Sequence, residues 1–280
     1  MTALLPTRQT AQLVAGLTDY LATTFALSDE SAQSAIEDFL KHRDTGMFKG
    51  PFVRLRLPYS PSDEDAALQY LPSGFIPYHH QARAFARLKT RPNLGETDRE
   101  FRRPEPTIVT TGTGSGKTEA FLYPILDHVL RAQAAGITGT KALILYPMNA
   151  LANDQANRLA KLITSEPKLH GVRAALYTGE GDPNGPRQVT PDSLISNRQD
   201  IRDNPPDIIL TNYKMLDIML LRGEDRGIWE RSALSLQYLV LDEFHTYDGA
   251  QGTDVAMLLR RLGLTLKSWW PEDLSTLHFG

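Results

Sequence analysis

The spacing of apolar residues changes between the first part of the chain and the rest. In residues 7–42 apolar side chains recur at helical spacing, at Leu13, Leu17, Leu21, Ile36, Phe39 and Leu40. This period predicts two helices, and Ser28 followed by two acidic residues is typical of the start of the second. Residues 51–73 hold a candidate strand at 52–57 and then a Pro-, Ser- and Asp-rich stretch, which is typical of a domain boundary. We therefore expect a mainly helical N-terminal extension over residues 1–74.

Beyond residue 75 the pattern changes to short apolar runs separated by helical stretches. The runs are residues 107–109, 142–146, 174–177, 207–211 and 236–241. Strands that alternate with helices form a parallel sheet with right-handed crossovers. The sequence therefore predicts an α/β fold at residues 75–270, with helices flanking a parallel sheet, and a short tail at 271–280. The Gly- and Pro-rich run 179–191 breaks both helix and strand, so we expect a surface loop there.

Composition narrows the class of protein. The 280 residues include 30 Lys and Arg against 33 Asp and Glu, so overall charge does not indicate nucleic acid, and any phosphate contact must be local. The absence of cysteine excludes a disulfide framework, a Cys-ligated zinc site and an iron–sulfur cluster within these residues. No apolar run approaches the ~20 residues that a membrane-spanning helix needs, so we expect a cytoplasmic protein without a membrane partner.

The sharpest chemical signal is a glycine-rich turn after the first predicted strand. Residues 107–119 read TIVTTGTGSGKTE, a strand, a turn ending in Gly-Lys-Thr and an apolar helix, as in a P-loop. Glycines let backbone N–H groups turn toward phosphate oxygens, and the following helix points its positive end at the same anion. Lys117 is expected at the β and γ phosphates of ATP, and the Thr118 hydroxyl at Mg²⁺. The predicted phosphate-binding set is Thr111, Gly112, Thr113, Gly114, Ser115, Gly116, Lys117 and Thr118.

A second chemical signal lies at the end of the last predicted strand. Residues 236–243 read LQYLVLDE, an apolar strand that ends in two adjacent carboxylates. Strand ends face the ligand side of an open α/β sheet, and adjacent side chains of an extended chain point in different directions. We therefore expect Asp242 in the Mg²⁺ shell and Glu243 as the general base for the attacking water. His245 is either an ordinary histidine or a link between the nucleotide site and neighbouring segments.

Taken in order, these segments resemble the motifs of superfamily 2 DEAD/DExH-type helicases, over residues 75–262. The glycine-rich turn resembles motif I, in which this family relaxes the position occupied by Thr111, and residues 242–245 (DEFH) resemble motif II. Within this family, the residues of the motifs are most similar to those of bacterial large-helicase-related and RecQ-like enzymes, some of which act in DNA repair or phage defence. The resemblance implies a RecA-like first lobe with ATP and Mg²⁺ as cofactors and a coupling role for His245.

Residues 75–81 (FIPYHHQ) resemble the Q motif of the same family. A glutamine amide has both the donor and the acceptor that adenine requires. The resemblance therefore implies that Gln81 reads the adenine edge, with Phe75 or Tyr78 as the stacking residue. On its spacing alone, Gln81 would be an ordinary surface residue.

Three further segments resemble the family's nucleic-acid motifs. They are residues 146–155 (YPMNALANDQ), 178–180 (TGE) and 211–217 (TNYKMLD). The resemblance implies that they hold the backbone of one strand, DNA in preference to RNA. Such contacts are also made by backbone amides and small polar side chains, which agrees with a net acidic chain. The positions carried over are Pro147, Asn149, Gln155, Gly179, Thr211 and Asn212.

The family pattern continues with a Ser-Ala-Thr motif and a second RecA-like lobe that carries an arginine finger. Neither is found in the chain, and residues 274–276 (LST) are no substitute. An arginine finger contributes ~10³ to 10⁵ in turnover, so the first lobe alone should hydrolyse ATP slowly until a second lobe, in the same or another chain, completes it. The alternatives are a nucleotide-dependent binding module and a P-loop ATPase without a nucleic-acid role. The intact site residues favour the helicase lobe, namely Lys117, Thr118, Asp242 and Glu243.

Overall fold

The computed structural model of the chain contains two compact units, residues 1–58 and 59–280. It describes residues 6–42, 44–48, 58–63, 68–90, 103–112, 114–179 and 184–271. The second unit begins at Tyr59, earlier than the expected boundary at 74/75. The reason is an antiparallel bridge between Pro61 and Tyr78, in which the Ser62 N–H donates to the Pro77 carbonyl at 2.7 Å.

The first unit contains the two predicted helices. Helix α1 spans Pro6–Thr24 and α2 spans Glu30–Lys41. Asp29 caps α2, because its Oδ1 accepts the Ala32 N–H at 2.8 Å. No side chain of α2 is buried within its unit. The candidate strand at residues 52–57 lies outside the described part of the chain.

The second unit is built on a parallel sheet. Its strands are β1 (Ala142–Tyr146), β2 (Ala174–Leu176), β3 (Ile208–Asn212) and β4 (Tyr238–Leu241), in the order β2-β3-β1-β4. Ile144 of β1 pairs with Leu210 on one side and Val240 on the other. Four of the predicted strands are therefore confirmed, and the carboxyl ends of β1, β3 and β4 share one edge of the sheet.

Helices cover both faces of the sheet. They are α3 (His79–Leu88), α4 (Lys117–Ala134), α5 (Asn149–Ser165), α6 (Arg198–Asp203), α7 (Tyr213–Leu221), α8 (Arg226–Ser232) and α9 (Gly249–Lys267). Helices α3, α4 and α5 pack around Ile144 on one face, and α7, α8 and α9 pack around Leu143 and Leu145 on the other. In the described ranges, each helix is too short or too polar to cross a membrane.

The predicted strand at residues 107–109 does not form. None of the backbone groups of residues 107–110 has a hydrogen bond to another described residue, and the Ile108 side chain is 78% exposed. The start of the segment is tied to α3, because the Glu105 N–H donates to the Arg87 carbonyl at 3.0 Å and the Arg87 guanidinium donates to the Pro106 carbonyl and to the Thr107 hydroxyl. An extended segment becomes a strand when a neighbouring backbone lies within hydrogen-bonding distance, and here the segment borders cavities instead. The strand prediction is therefore wrong for this structure.

Candidate nucleotide-binding site

The turn before α4 has the backbone geometry of an anion cradle. Gly114 and Gly116 adopt φ values of 75° and 76°, in the left-handed region that favours glycine. A Cβ on Gly112 would lie 2.8 Å from the Tyr59 hydroxyl, and a Cβ on Gly116 would collide with the Gln81 amide. Glycine is therefore favoured at position 116 by both its φ and its packing, and at position 112 by the close approach of Tyr59. Thr113 lies outside the described residues.

Polar groups of the turn bond to one another. The Lys117 Nζ donates to the Thr111 carbonyl at 3.1 Å, and the Thr111 and Ser115 hydroxyls form a short hydrogen bond. His80 donates from its ring Nε2 to the Ser115 carbonyl at 2.9 Å. The Lys117 ammonium thus lies inside the loop, at the first turn of α4, where backbone N–H groups lack intrahelical acceptors.

Gln81 joins α3 to the same turn. Its Oε1 accepts the Tyr78 N–H at 2.9 Å, and its Nε2 donates to the Gly116 carbonyl at 2.9 Å. The Gln81 side chain is 2% exposed, so the structure places the amide against the phosphate loop and not at an open surface. Adenine recognition by Gln81 stays a prediction, and positioning of the loop is its observed contact.

The two predicted stacking residues lie in different environments. Phe75 packs edge-on against Tyr123, with 4.7 Å between ring centroids, in the apolar core. Tyr78 stacks on His80 at 5.9 Å and lies 5.5 Å from Tyr59. Of the two candidates, Tyr78 is therefore the one beside the phosphate loop.

Tyr59 is a site residue that sequence reasoning missed. Its ring lies 5.4 Å from His80, and its hydroxyl covers Gly112. It borders a cavity of about 670 Å³ that is shared with Arg83 and the 107–111 segment. Its sequence position, just before a Pro- and Asp-rich stretch, reads as a linker. The bridge between Pro61 and Tyr78 brings Tyr59 to the phosphate loop, and sequence spacing does not predict that bridge.

The adjacent carboxylates follow β4 as predicted. The Asp242 N–H donates to the Leu145 carbonyl at 3.0 Å, and the Asp242 Oδ1 accepts the Glu243 N–H at 2.8 Å. Burial raises the pKa of Asp242 above its usual value, and the Glu243 charge adds to this effect. The hydrogen bond from the Glu243 N–H and the Lys117 ammonium oppose it, so Lys117 is electrostatically coupled to Asp242.

Glu243 has a strained backbone. Its φ of 49° and ψ of 44° make it the one non-glycine residue with positive φ among those that the structure describes. This conformation costs roughly 1–2 kcal/mol for a residue with a Cβ. The Nδ1 of the exposed His245 lies 3.4 Å from the Glu243 Oε2. Backbone strain of this kind is typical of functional sites.

One cavity brings several predicted residues together. Lys117, Asp242, Glu243 and His245 line a space of about 630 Å³ with residues 104–111. Thr118, the other predicted Mg²⁺ ligand, lines a separate narrow cleft between α4 and α5. One cavity of the structure is therefore lined by the lysine and by both carboxylates.

Some of the predicted nucleic-acid residues meet at the carboxyl edge of the sheet. Asn212 ends β3, and its Nδ2 donates to the Asn149 Oδ1 at 2.5 Å. The Asn212 Oδ1 accepts the Met215 N–H at 2.7 Å and so caps α7. The half-buried Pro147 follows β1, whereas Gln155 lines the cleft that contains Thr118.

Gly179 follows β2 in the chain, and Thr211 lies on the neighbouring strand β3. The Thr211 hydroxyl donates to the Tyr177 carbonyl at 2.6 Å, and the residue is fully buried. In this structure the Thr211 hydroxyl is therefore engaged within the sheet, and a contact of Thr211 with nucleic acid stays a prediction. Arg198, which the sequence did not indicate, donates to the Thr178 and Gly179 carbonyls at 2.9 and 3.1 Å.

Comparisons with known proteins agree with this geometry. The DEAD/DEAH box helicase family model matches residues 79–277. The Druantia protein DruE of Escherichia coli is 27% identical over 309 aligned residues, which cover 76% of this chain and 16% of DruE. The uncharacterized ATP-dependent helicase YprA of Bacillus subtilis is 31% identical over 158 residues, or 56% of this chain and 18% of YprA.

A solved structure shows the same fold. The crystal structure of the helicase MrfA bound to DNA and AMPPNP matches with a TM-score of 0.51 at 25% identity, over 71% of this chain and 23% of MrfA. The chain thus spans less than a quarter of the length of each of these relatives. With a family match over most of its length, a RecA-like parallel sheet and a phosphate loop beside paired carboxylates, the chain belongs to the DEAD/DEAH box helicase family and forms its ATP-binding motor lobe.

Proposed function

We propose that this lobe binds ATP with Mg²⁺ and couples ATP hydrolysis to the binding and remodelling of nucleic acid. The observation that carries the proposal is the cavity in which Lys117 meets Asp242 and Glu243, residues that lie far apart in sequence. A phosphate cradle, a cation and two carboxylates are the groups that phosphoryl transfer to water requires. The resemblance of the motifs and the family match support the same chemistry.

The nucleotide phosphates would bind at the glycine-rich turn. Gly112 and Gly116 leave no room for side chains, so backbone N–H groups can approach an anion closely. Lys117 would exchange its bond to the Thr111 carbonyl for phosphate oxygens. Nucleotide binding is therefore expected to change the hydrogen bonds of the turn.

The carboxylates would divide the remaining roles. Asp242 fits a Mg²⁺ ligand because it is a partly buried carboxylate that is coupled to Lys117, and the Thr118 hydroxyl would complete the protein's share of the oxygen ligands. When bound, Mg²⁺ neutralises charge on the phosphates. Glu243 would accept the proton of the attacking water, since it lines the same cavity as Lys117 and Asp242 and follows Asp242 directly in the chain.

The carboxyl edge of the sheet would contact nucleic acid. Asn149 and Asn212 lie side by side there, and Arg198 donates to the Thr178 and Gly179 carbonyls. DNA is the expected partner, supported by the match to MrfA, whose structure contains DNA. Full turnover would require a second lobe, which agrees with the greater length of the relatives.

Binding of a fluorescent ATP analogue and ATP hydrolysis test this function. Lys117→Ala should abolish binding, whereas Lys168→Ala, at an exposed lysine, should leave it unchanged. Glu243→Gln should bind the nucleotide without turnover. Single-stranded DNA should raise the turnover of the unsubstituted chain more than RNA of the same length does. Unchanged ATP affinity in Lys117→Ala would overturn the phosphate assignment.

A further inference from the structure

Tyr247 is a buried residue that lies just beyond the paired carboxylates in the chain. A short 3₁₀ turn at Phe244–Thr246 follows Glu243, and the Tyr247 N–H donates to the Phe244 carbonyl at 3.1 Å. Only 7% of Tyr247 is exposed, yet it belongs to neither of the apolar clusters that cover the two faces of the sheet. Tyr247 is therefore buried outside the packing that stabilises the sheet.

The Tyr247 hydroxyl is buried and has no hydrogen-bond partner among the described residues. Buried tyrosine hydroxyls usually find a partner, because an unpaired donor keeps the full cost of leaving water. Within the described ranges, Tyr70 carries the other tyrosine hydroxyl that is buried without a partner, and it packs in the apolar cluster around Ile144. The two hydroxyls thus share their burial and differ in their surroundings.

The surroundings of Tyr247 belong to the predicted sites. The Phe244 ring, which borders the nucleotide cavity, lies 6.5 Å from the Tyr247 ring between centroids. The Tyr213 ring, at the start of α7, packs edge-on at 6.2 Å. Burial raises the pKa of Tyr247 to about 12, and the charge of Asp242 and then that of Tyr213 add to the rise. The Asp242 carboxylate thus lies within electrostatic range of the Tyr247 hydroxyl.

Asp242 offers an acceptor for this donor. Its Oδ1 accepts the Glu243 N–H at 2.8 Å, whereas its Oδ2 accepts no hydrogen bond from the described residues. The Asp242 side chain borders the open cavity, so its torsion angles can change. The Tyr247 backbone is more firmly held, because a Cβ on Gly252 in the first turn of α9 would lie 2.7 Å from the Tyr247 carbonyl oxygen. Of the two residues, Asp242 is therefore the one that can move.

We propose that the Tyr247 hydroxyl donates to the Asp242 carboxylate when the nucleotide site is filled, and thereby positions that carboxylate. The inference rests on the proposed role of Asp242 as a Mg²⁺ ligand. It adds Tyr247 as a positioning residue that acts through Asp242. When one carboxylate oxygen is a metal ligand, a hydrogen bond to the other oxygen fixes the orientation of the group.

The proposal predicts opposite effects of Tyr247→Phe on two quantities. The variant loses a buried, unpaired hydroxyl and keeps the shape of the ring, so the chain without nucleotide should become more stable. The variant also loses the donor to Asp242, so the Mg²⁺-dependent part of the nucleotide affinity should fall. A tyrosine that only packs would not change the dependence of affinity on Mg²⁺.

Two measurements on the complete 280-residue chain test the proposal. They are urea unfolding without nucleotide, and titration with a fluorescent, non-hydrolysable ATP analogue in the presence of Mg²⁺ or of EDTA. In Tyr247→Phe the equilibrium constant of unfolding should fall about fivefold or more. The affinity for the analogue should fall about tenfold with Mg²⁺ and stay the same with EDTA.

Tyr70→Phe is the matched control, because it removes the other unpaired tyrosine hydroxyl. This variant should show the same gain in stability, and its nucleotide affinity should equal that of the unsubstituted chain under both conditions. A double variant connects the effect to Asp242. In an Asp242→Ala background, Tyr247→Phe should cause no further loss of affinity, because the acceptor is absent.

Separate results would overturn the proposal and the function on which it rests. If Tyr247→Phe is no more stable than the unsubstituted chain, the hydroxyl is already paired without nucleotide and the proposal is wrong. An unchanged affinity, or an equal loss with Mg²⁺ and with EDTA, would show that the hydroxyl does not act through Asp242. If Mg²⁺ does not affect the affinity of the unsubstituted chain, the role of Asp242 itself is wrong, and the inference is wrong with it.

Discussion

The Gln81 side-chain amide donates to the Gly116 carbonyl at 2.9 Å, so a buried hydrogen bond, beside the one from His80 to the Ser115 carbonyl, joins the start of α3 to the phosphate loop. The same amide accepts the Tyr78 N–H and thereby holds the first turn of its own helix. A residue in this position transmits any movement of the loop to α3. Gln81 thus has two candidate roles. The resemblance implies recognition of adenine, and the observed contact indicates positioning of the phosphate loop.

Replacement of Gln81 by Ala distinguishes these roles. Loss of the bond to Gly116 leaves buried backbone groups unpaired, so the free energy of unfolding should fall by about 1–3 kcal/mol. If Gln81 positions the loop, affinity for ATP and for GTP should fall by the same factor in fluorescence titrations. Loss of ATP affinity with GTP affinity unchanged would instead assign the amide to adenine. Gln199→Ala, on the exposed face of α6, is the control.

The left-handed backbone of Glu243 predicts that replacement by glycine stabilises the fold although it abolishes ATP turnover. Glu243→Gly should raise the free energy of unfolding by about 1 kcal/mol, because glycine adopts this conformation without a Cβ clash. Glu243→Ala retains the Cβ and should not show this gain. Both variants should lose ATP turnover. Urea unfolding of the three proteins measures the difference, and equal stability of the Gly and Ala variants would contradict a strained backbone.

His128 predicts a loss of stability in mild acid. Burial lowers its pKa from 6.5 to about 4, and the Arg131 and Lys141 cations add to this effect. The unfolded chain therefore takes up a proton first as the pH falls, and stability that is present above pH 6.5 is lost between about 6.5 and 4. The loss due to this group is on the order of 3 kcal/mol.

Urea unfolding between pH 7 and pH 4 checks this effect. His128→Gln removes the titrating ring and leaves an amide near Thr90, whose hydroxyl lies 2.7 Å from the His128 Nδ1. The pH slope of stability should become shallower in this variant. His79→Gln, at an exposed histidine, should keep the original slope. An unchanged slope in His128→Gln would show that other groups cause the acid sensitivity.

Local sequence patterns predict the elements that depend on interactions between residues close together in the chain. The turn of the P-loop and four strands follow from apolar periodicity and glycine placement. The strand at 107–109 was wrong because a strand also needs a partner, and sequence spacing does not say which backbone will lie beside it. For a related reason the burial of Thr211 could not be predicted, since only the strand order shows that β3 is interior.

The same reasoning explains the residues that sequence analysis missed. Tyr59 reaches the phosphate loop through an antiparallel bridge between two segments without regular structure. Arg198 reaches the Thr178 and Gly179 carbonyls across a loop that is rich in glycine and proline. Both contacts depend on tertiary packing, which the periodicity of the sequence does not predict.

Arg198 provides the sharpest test of the nucleic-acid surface. Its guanidinium donates to two consecutive carbonyls and lies 5.6 Å from the centre of the Tyr177 ring. Arg198→Lys keeps the charge but replaces the planar guanidinium, whose single Nη2 bonds both carbonyls and whose plane lies over the Tyr177 ring, by an ammonium on a different stem. If Gly179 contacts nucleic acid, the affinity for single-stranded DNA should fall about tenfold, or ~1.4 kcal/mol, with ATP affinity unchanged.

The matched control is Arg222→Lys, the same change at an exposed arginine that follows α7. Fluorescence anisotropy with labelled DNA at several salt concentrations measures both affinity and its salt dependence. Since the lysine variant keeps the charge, the salt dependence should be the same in all three proteins while the affinity of Arg198→Lys alone falls. Equal DNA affinity in the two variants would show that the conformation around Gly179 does not contribute to DNA binding, and the contact surface would then be confined to the pair formed by Asn149 and Asn212.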